Sequence, residues 1–176
     1  MQYGITPGGL GARLNDPRKG KDLLRDHHRI YCGYWEWTSA TLDFAQLKGY
    51  LVTTFGWRLD SLNTNLRSLQ NFLMQANGAE MMRIAMVYAA EMGVQVIAPI
   101  HDAFLIQAPE SEIDRHVALM QQAMETASRI VLDGFSLRSE VQQKIRYPDR
   151  FVDEKGAETW RWLMESLSQL KAAAAA

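Results

Sequence analysis

Val94-Gln95-Val96-Ile97-Ala98-Pro99-Ile100-His101-Asp102-Ala103-Phe104-Leu105-Ile106-Gln107-Ala108 is the stretch from which the fold is read. Two short apolar runs rich in Val and Ile flank a break at Pro99 to Asp102; β-branched residues favour a pleated backbone, and Pro ends ladder pairing. The pattern predicts a tight β-hairpin with His101 and Asp102 at or beside its turn. A carboxylate inside so apolar a run has to reach water, pair with a cation or bind a metal, because burying it unpaired is costly. An ordinary polar turn, in which Asp is common, is the plainer reading of these residues alone.

The helix expected upstream, about 66–92, adds a second feature. Arg67, Asn71 and Gln75 recur every four residues, a stripe of donors along roughly 12 Å of helix surface. Leu69, Phe72, Leu73, Ala76 and Ile84 take other faces and can pack inward. A solvent face ordinarily carries Glu and Lys; Arg, Asn and Gln are the donors suited to base edges and sugars.

Outward from these two elements, helical periodicity over 19–48 predicts one kinked helix or two, stopped at Gly49. Residues 50–59 read as a small hairpin turning at Phe55-Gly56, 110–128 as a helix, 136–145 as a further strand joining the central hairpin, and 159–171 as a short helix before a featureless Ala tail. Tyr31, Tyr34, Trp35 and Trp37 are expected in core and interface packing. The fold class is α+β: a small antiparallel sheet with a central β-hairpin packed against long helices.

Composition bounds the function. With 176 residues, 47% of them hydrophobic, the chain can build a real core, and a formal charge of −1 leaves any nucleic-acid contact to a local patch. The candidate patch is 13–29, where six cations (Arg13, Arg18, Lys19, Lys21, Arg25, Arg29) face three acids (Asp16, Asp22, Asp26); a solvated helix face and a phosphate contact are the two readings. The single cysteine, Cys32, allows no internal disulfide, and no secretory leader pattern opens the chain, so a cytoplasmic setting is expected. No membrane span is expected, since even the run 81–90 is broken by Arg83. Gly8, Gly9 and Gly11 do not have the spacing of a dinucleotide fingerprint and are read as turn and helix-start residues.

These motifs together resemble the C-terminal palm of family A DNA polymerases. The resemblance rests on Arg67, Asn71 and Gln75 at four-residue steps, a long helix, and an apolar strand running into His101-Asp102. Tyr3-Gly4 is similar to the end of the family's fingers helix, Thr54-Phe55-Gly56-Trp57-Arg58 resembles its Thr…Gly-Arg hairpin, and 136–145 falls where the family has its last palm strand. The likeness covers residues 1 to about 147. It implies a fingers remnant over 1–18, a palm subdomain over 19–171 and an Ala-rich tail over 172–176.

The implied function is DNA-directed DNA polymerisation, in replication or repair, by template-directed nucleotidyl transfer with two Mg²⁺ ions held between two aspartates. Asp102 matches the second, metal-binding and catalytic, aspartate. His101 would support the primer terminus, Arg67, Asn71, Gln75 and Arg58 would contact DNA, and Tyr3 would contact the nucleotide. The implied partners are primer–template DNA, a dNTP and an upstream polymerase segment on another chain. Ala103 stands where the family has Glu, and the family's first aspartate and its cationic fingers residues have no match here, so the isolated chain is expected to be incomplete and inactive. The competing classes are a non-catalytic DNA-binding or assembly module, and a metal phosphohydrolase of the His-Asp type. The latter places His-Asp on helices among other ligands, whereas here it lies between β-prone runs, apart from His27, His28 and His116.

Overall fold

The structure, a computed structural model, describes residues 5–151 and 156–174. They form two compact units, Met1–Ser139 and Glu140–Ala176. In the first unit, Thr6 caps α1 (Pro7–Arg13) and Asp16 caps α2 (Pro17–Ile30), each accepting backbone N–H groups of the first turn, with Pro at the helix start where its missing N–H costs nothing. The two helices meet through glycine: a Cβ at Gly20 would stand 2.5 Å from the Gly11 nitrogen and 2.6 Å from the Pro7 oxygen. Gly11, expected at a turn or helix start, instead lies inside α1 and serves close packing.

The expected break near Cys32-Gly33 is real. α2 ends at Ile30 and α3 (Cys32–Lys48) begins after Tyr31, then stops at Gly49, whose φ of 81° is a left-handed cap. The aromatics at this corner are not core, contrary to expectation. Tyr31 and Trp37 are exposed and none of the four is buried. They build a surface cluster instead: His28 stacks on Trp35 with ring centroids 3.7 Å apart, and the Trp35 indole N–H donates to His27 Nδ1 at 3.1 Å. Burial first, and His28 beside it, hold the His27 imidazole below its ordinary pKa. Aromatic area can be covered by other rings at a helix corner without entering a core.

β1 (Tyr50–Val52) and β2 (Arg58–Asp60) form the expected small hairpin. It packs with Ala45 of α3 against Leu69, Phe72 and Leu73 of α4 (Leu66–Glu91), whose first turn is capped by Asn65. β3 (Gln95–Ile100) and β4 (Ala103–Gln107) form the second hairpin, followed by α5 (Ile113–Val131). The larger core joins Ala85 and Ala89 of α4 to Met120, Ala123 and Ala127 of α5, with Val94, Val96, Phe104 and Ile106 packed around them. Small residues at the α4–α5 contact let the two helices approach closely while the hairpin's branched side chains fill the edge.

Three expectations are corrected. β3 runs through Pro99, which pairs with Phe104; in a two-stranded sheet every strand is an edge, so a residue without an N–H is tolerated. The described sheets are two separate pairs, and 136–145 is not a strand. Its start is held by α5 side chains instead: Leu137 N–H donates to Ser128 Oγ at 3.0 Å, Ser136 Oγ to Glu125 Oε1 at 2.9 Å, and Gln121 Nε2 to the Ser139 carbonyl at 2.9 Å. Polar groups satisfied this way need no ladder partner. In the second unit, α6 (Ala157–Ala174) continues into the Ala run expected to be featureless, as the strongest helix former allows.

Candidate nucleic-acid interface and metal-binding carboxylate

The central hairpin places His101 and Asp102 as a two-residue turn between the paired Ile100 and Ala103. His101 has φ 55°, in the left-handed region that favours Gly, and Asp102 has no positive φ. A histidine there carries backbone strain of about 1–3 kcal/mol, a cost that recurs at functional sites. A register shift between Val96 and Ala98 leaves Ile97 as an extra residue, and such a bulge adds twist that re-aims the strand end. Both tip side chains are exposed, and among the described residues no ion pair engages Asp102. Nor do the described residues contain a group of three or more His, Cys, Asp or Glu able to hold a metal.

Helix geometry decides what shares a side with this tip. At 3.6 residues per turn, Leu69, Ala76 and Glu80 of α4 point to one face, all buried, and Arg67, Asn71 and Gln75 point to roughly the opposite one. Ala89 lies about five full turns beyond Asn71 and so points the same way as the stripe. Ala89 is in the core that receives Val96, Phe104 and Ile106, and Phe104 is two residues from Asp102, so the tip stands at the border of that core. The stripe thus continues the side of α4 that carries the β3–β4 hairpin. Arg67 and Gln75 are exposed, whereas Asn71 is half-buried and its Oδ1 finds no hydrogen-bond partner among the described residues.

Arg58 is not brought to that side. It sits on β2, against the opposite face of α4, its guanidinium 2.9 Å from Asp60 Oδ1 and 4.2 Å from the Tyr50 ring centroid, yet still more than half exposed. Tyr3 lies outside the described residues. In the basic segment, Arg25 pairs with Asp22 at 3.1 Å and Arg29 with Asp26 at 3.6 Å, exposed helix pairs that contribute little. Among the described residues no ion pair engages Arg13, Arg18, Lys19 or Lys21.

Sequence reasoning missed Glu80. It is fully buried, accepts a hydrogen bond from Thr53 Oγ1 at 2.6 Å, and has no partner for Oε2 among the described residues. The signal was present: Glu80 falls on the same helical period as Leu69 and Ala76, where a charged residue is out of place.

Comparison with known proteins gives this arrangement a family. The chain is 31% identical over 140 residues to the thermostable DNA polymerase I of Thermus thermophilus, covering 71% of this chain and 17% of that protein. It is 27% identical over 155 residues to DNA polymerase I of Chloroflexus aurantiacus, covering 79% of this chain and 16% of that protein. It therefore spans about a sixth of the length of these relatives. Its fold is similar to the POL domain of Pol1 from M. smegmatis, solved in complex with DNA primer-template and dNTP, with a TM-score of 0.61 and 23% identity over 72% of this chain and 25% of that one. The family model described as DNA polymerase family A matches residues 1–147. With that match running over 147 of 176 residues, this chain belongs to DNA polymerase family A.

Proposed function

We propose that this chain supplies the palm of a DNA-directed DNA polymerase, presenting one metal-binding carboxylate and a surface for the primer–template duplex. One observation carries the reading: an exposed carboxylate, unengaged by any described ion pair, stands at a strained hairpin tip on the side of α4 that bears Arg67, Asn71 and Gln75. Membership of the family supports it. The fingers remnant over 1–18 and the palm over 19–171 belong to the same proposal, as does a cytoplasmic setting.

The donor chemistry of Asp102 fits Mg²⁺, a hard cation that takes carboxylate oxygens. Asp102 would hold it jointly with an aspartate from a polymerase segment on another chain. When bound, such ions would supply Lewis-acid activation of the primer 3′-hydroxyl and neutralise the charge of the triphosphate and leaving pyrophosphate. The chain's own residues position the reactants. His101 would support the primer end, and Tyr3, outside the described residues, would contact the incoming dNTP. Arg67 and Gln75 donate into the minor groove, where acceptors are alike in every Watson–Crick pair, so pair geometry is tested without reading sequence. Arg58 reaches duplex from β2. Replication and repair both use this chemistry.

The test is primer extension by the chain combined with a segment that restores incorporation. Asp102→Asn should abolish nucleotide incorporation while circular dichroism and thermal melting stay at the level of the unmodified chain. Near-normal incorporation by that variant would remove Asp102 from the site. Duplex binding with no incorporation in any assembly would leave a non-catalytic DNA-binding module.

A further inference from the structure

We propose that Glu80 is a positioning residue, a buried carboxylate on α4 that clasps the turn spanning 53–57 and so sets where Trp57 and Arg58 stand. The hydroxyl of Thr53, 5% exposed, links both sides. It donates to Glu80 Oε1 at 2.6 Å and accepts the Trp57 N–H at 3.0 Å. The Thr53 backbone closes the same turn, its N–H donating to the Trp57 carbonyl at 2.9 Å and its carbonyl accepting from the Gly56 N–H at 3.1 Å. Three residues along α4, the Arg83 guanidinium lies 5.3 Å from the Trp57 ring centroid. The helix thus grips the turn from inside with the Glu80 hydrogen bond and from outside with the Arg83 guanidinium.

Stability alone does not account for an acid here. An apolar residue at 80 would extend the Leu69 and Ala76 face without the desolvation of a carboxylate, and with Oε2 unpartnered among the described residues that cost is only half offset. What an apolar residue lacks is a directional bond. Packing against β1 would tolerate sliding or tilting of the hairpin, whereas a hydrogen bond between residues 27 apart in sequence admits one register. Arg58 follows Trp57 directly, so its reach past Tyr50 and Asp60 depends on that register. The bearing on DNA rests on the palm reading above; the clasp itself does not.

Amide hydrogen exchange on the 176-residue chain tests it, in Glu80→Ala, Thr53→Val and Thr53→Ser, alongside anisotropy of a labelled primer–template duplex with Arg58→Ala and with Arg58→Ala/Glu80→Ala. Exchange at Gly56 and Trp57 should accelerate about tenfold or more in Glu80→Ala and Thr53→Val, with Ala89 and Ala123 unchanged. Thr53→Ser keeps the hydroxyl and should match the unmodified chain. Duplex affinity should fall in Glu80→Ala, and the double variant should bind no more weakly than Arg58→Ala alone. Unchanged exchange at 56 and 57, acceleration spread evenly into α4 and α5, or Thr53→Ser behaving as Thr53→Val would each overturn the clasp. Localised acceleration with duplex affinity unmoved in every variant, Arg58→Ala included, would uphold the clasp and overturn the contact of Arg58 with DNA.

Discussion

His101 and Asp102 occupy the exposed turn between β3 and β4. The φ of 55° at His101 is a conformation glycine adopts freely and a side chain resists. His101→Gly should therefore leave the fold as stable or raise its unfolding free energy by about 1 kcal/mol. The same change should slow incorporation in a restored assembly. Urea denaturation beside primer extension separates the two effects, and a loss of stability would mean that the imidazole makes contacts that outweigh the strain. On α4, alanine at Arg67 or Gln75 should weaken duplex binding by about 1–3 kcal/mol with little dependence on sequence, because the acceptors in the minor groove are alike. Equal titrations on two unrelated duplexes measure this; a preference for one would point to base reading.

Helix α4 serves two hairpins by turning different faces to each. Its first half packs Leu69, Phe72 and Leu73 on β1–β2, and its second half packs Ala85 and Ala89 on α5 and the central hairpin. Of the stripe, the first half leaves Arg67 and Gln75 exposed and Asn71 half-buried on the side the second half buries. Close approach of α5 depends on Ala123 and Ala127, both without exposed surface. Ala127→Leu should cost about 1–3 kcal/mol of stability through overpacking, read from the thermal midpoint. It should also loosen exchange protection in β4, whose Phe104 and Ile106 share that core. A neutral Ala127→Leu would show space that the packing does not have.

For the whole molecule, the outcome expected of the 176-residue chain with primer–template, dNTPs and Mg²⁺ is weak binding without extension. On the palm reading proposed above, one carboxylate of a bridging pair would not hold two ions together, and the described residues offer the triphosphate no matching cationic grip. Binding should be salt-sensitive, since Arg13, Arg18, Lys19 and Lys21 are not engaged by described ion pairs and phosphate neutralisation releases counterions. Extension by the chain alone, lost in Asp102→Asn, would mean that another acid of this chain completes the site. Affinity that does not fall between low and moderate salt would exclude the basic segment as the contact.

Local rules carried far in this chain. Gly49 and the Val- and Ile-rich runs around Asp102 state their elements because left-handed φ values and β-branching act within a few residues. The spacing of Arg67, Asn71 and Gln75 fixes their common face for the same reason. Tertiary structure alone decided the rest. Pro99 stays in a strand because, among the described residues, no third strand needs its missing N–H. The segment after Ser136 is no strand because α5 side chains satisfy its first polar groups. Glu80 is buried because Thr53, distant in sequence, reaches it, and Arg58 stands apart from the stripe because β1–β2 takes the other face of α4. Each of these turns on which groups become neighbours across many residues, and that is settled only when the helices and hairpins pack.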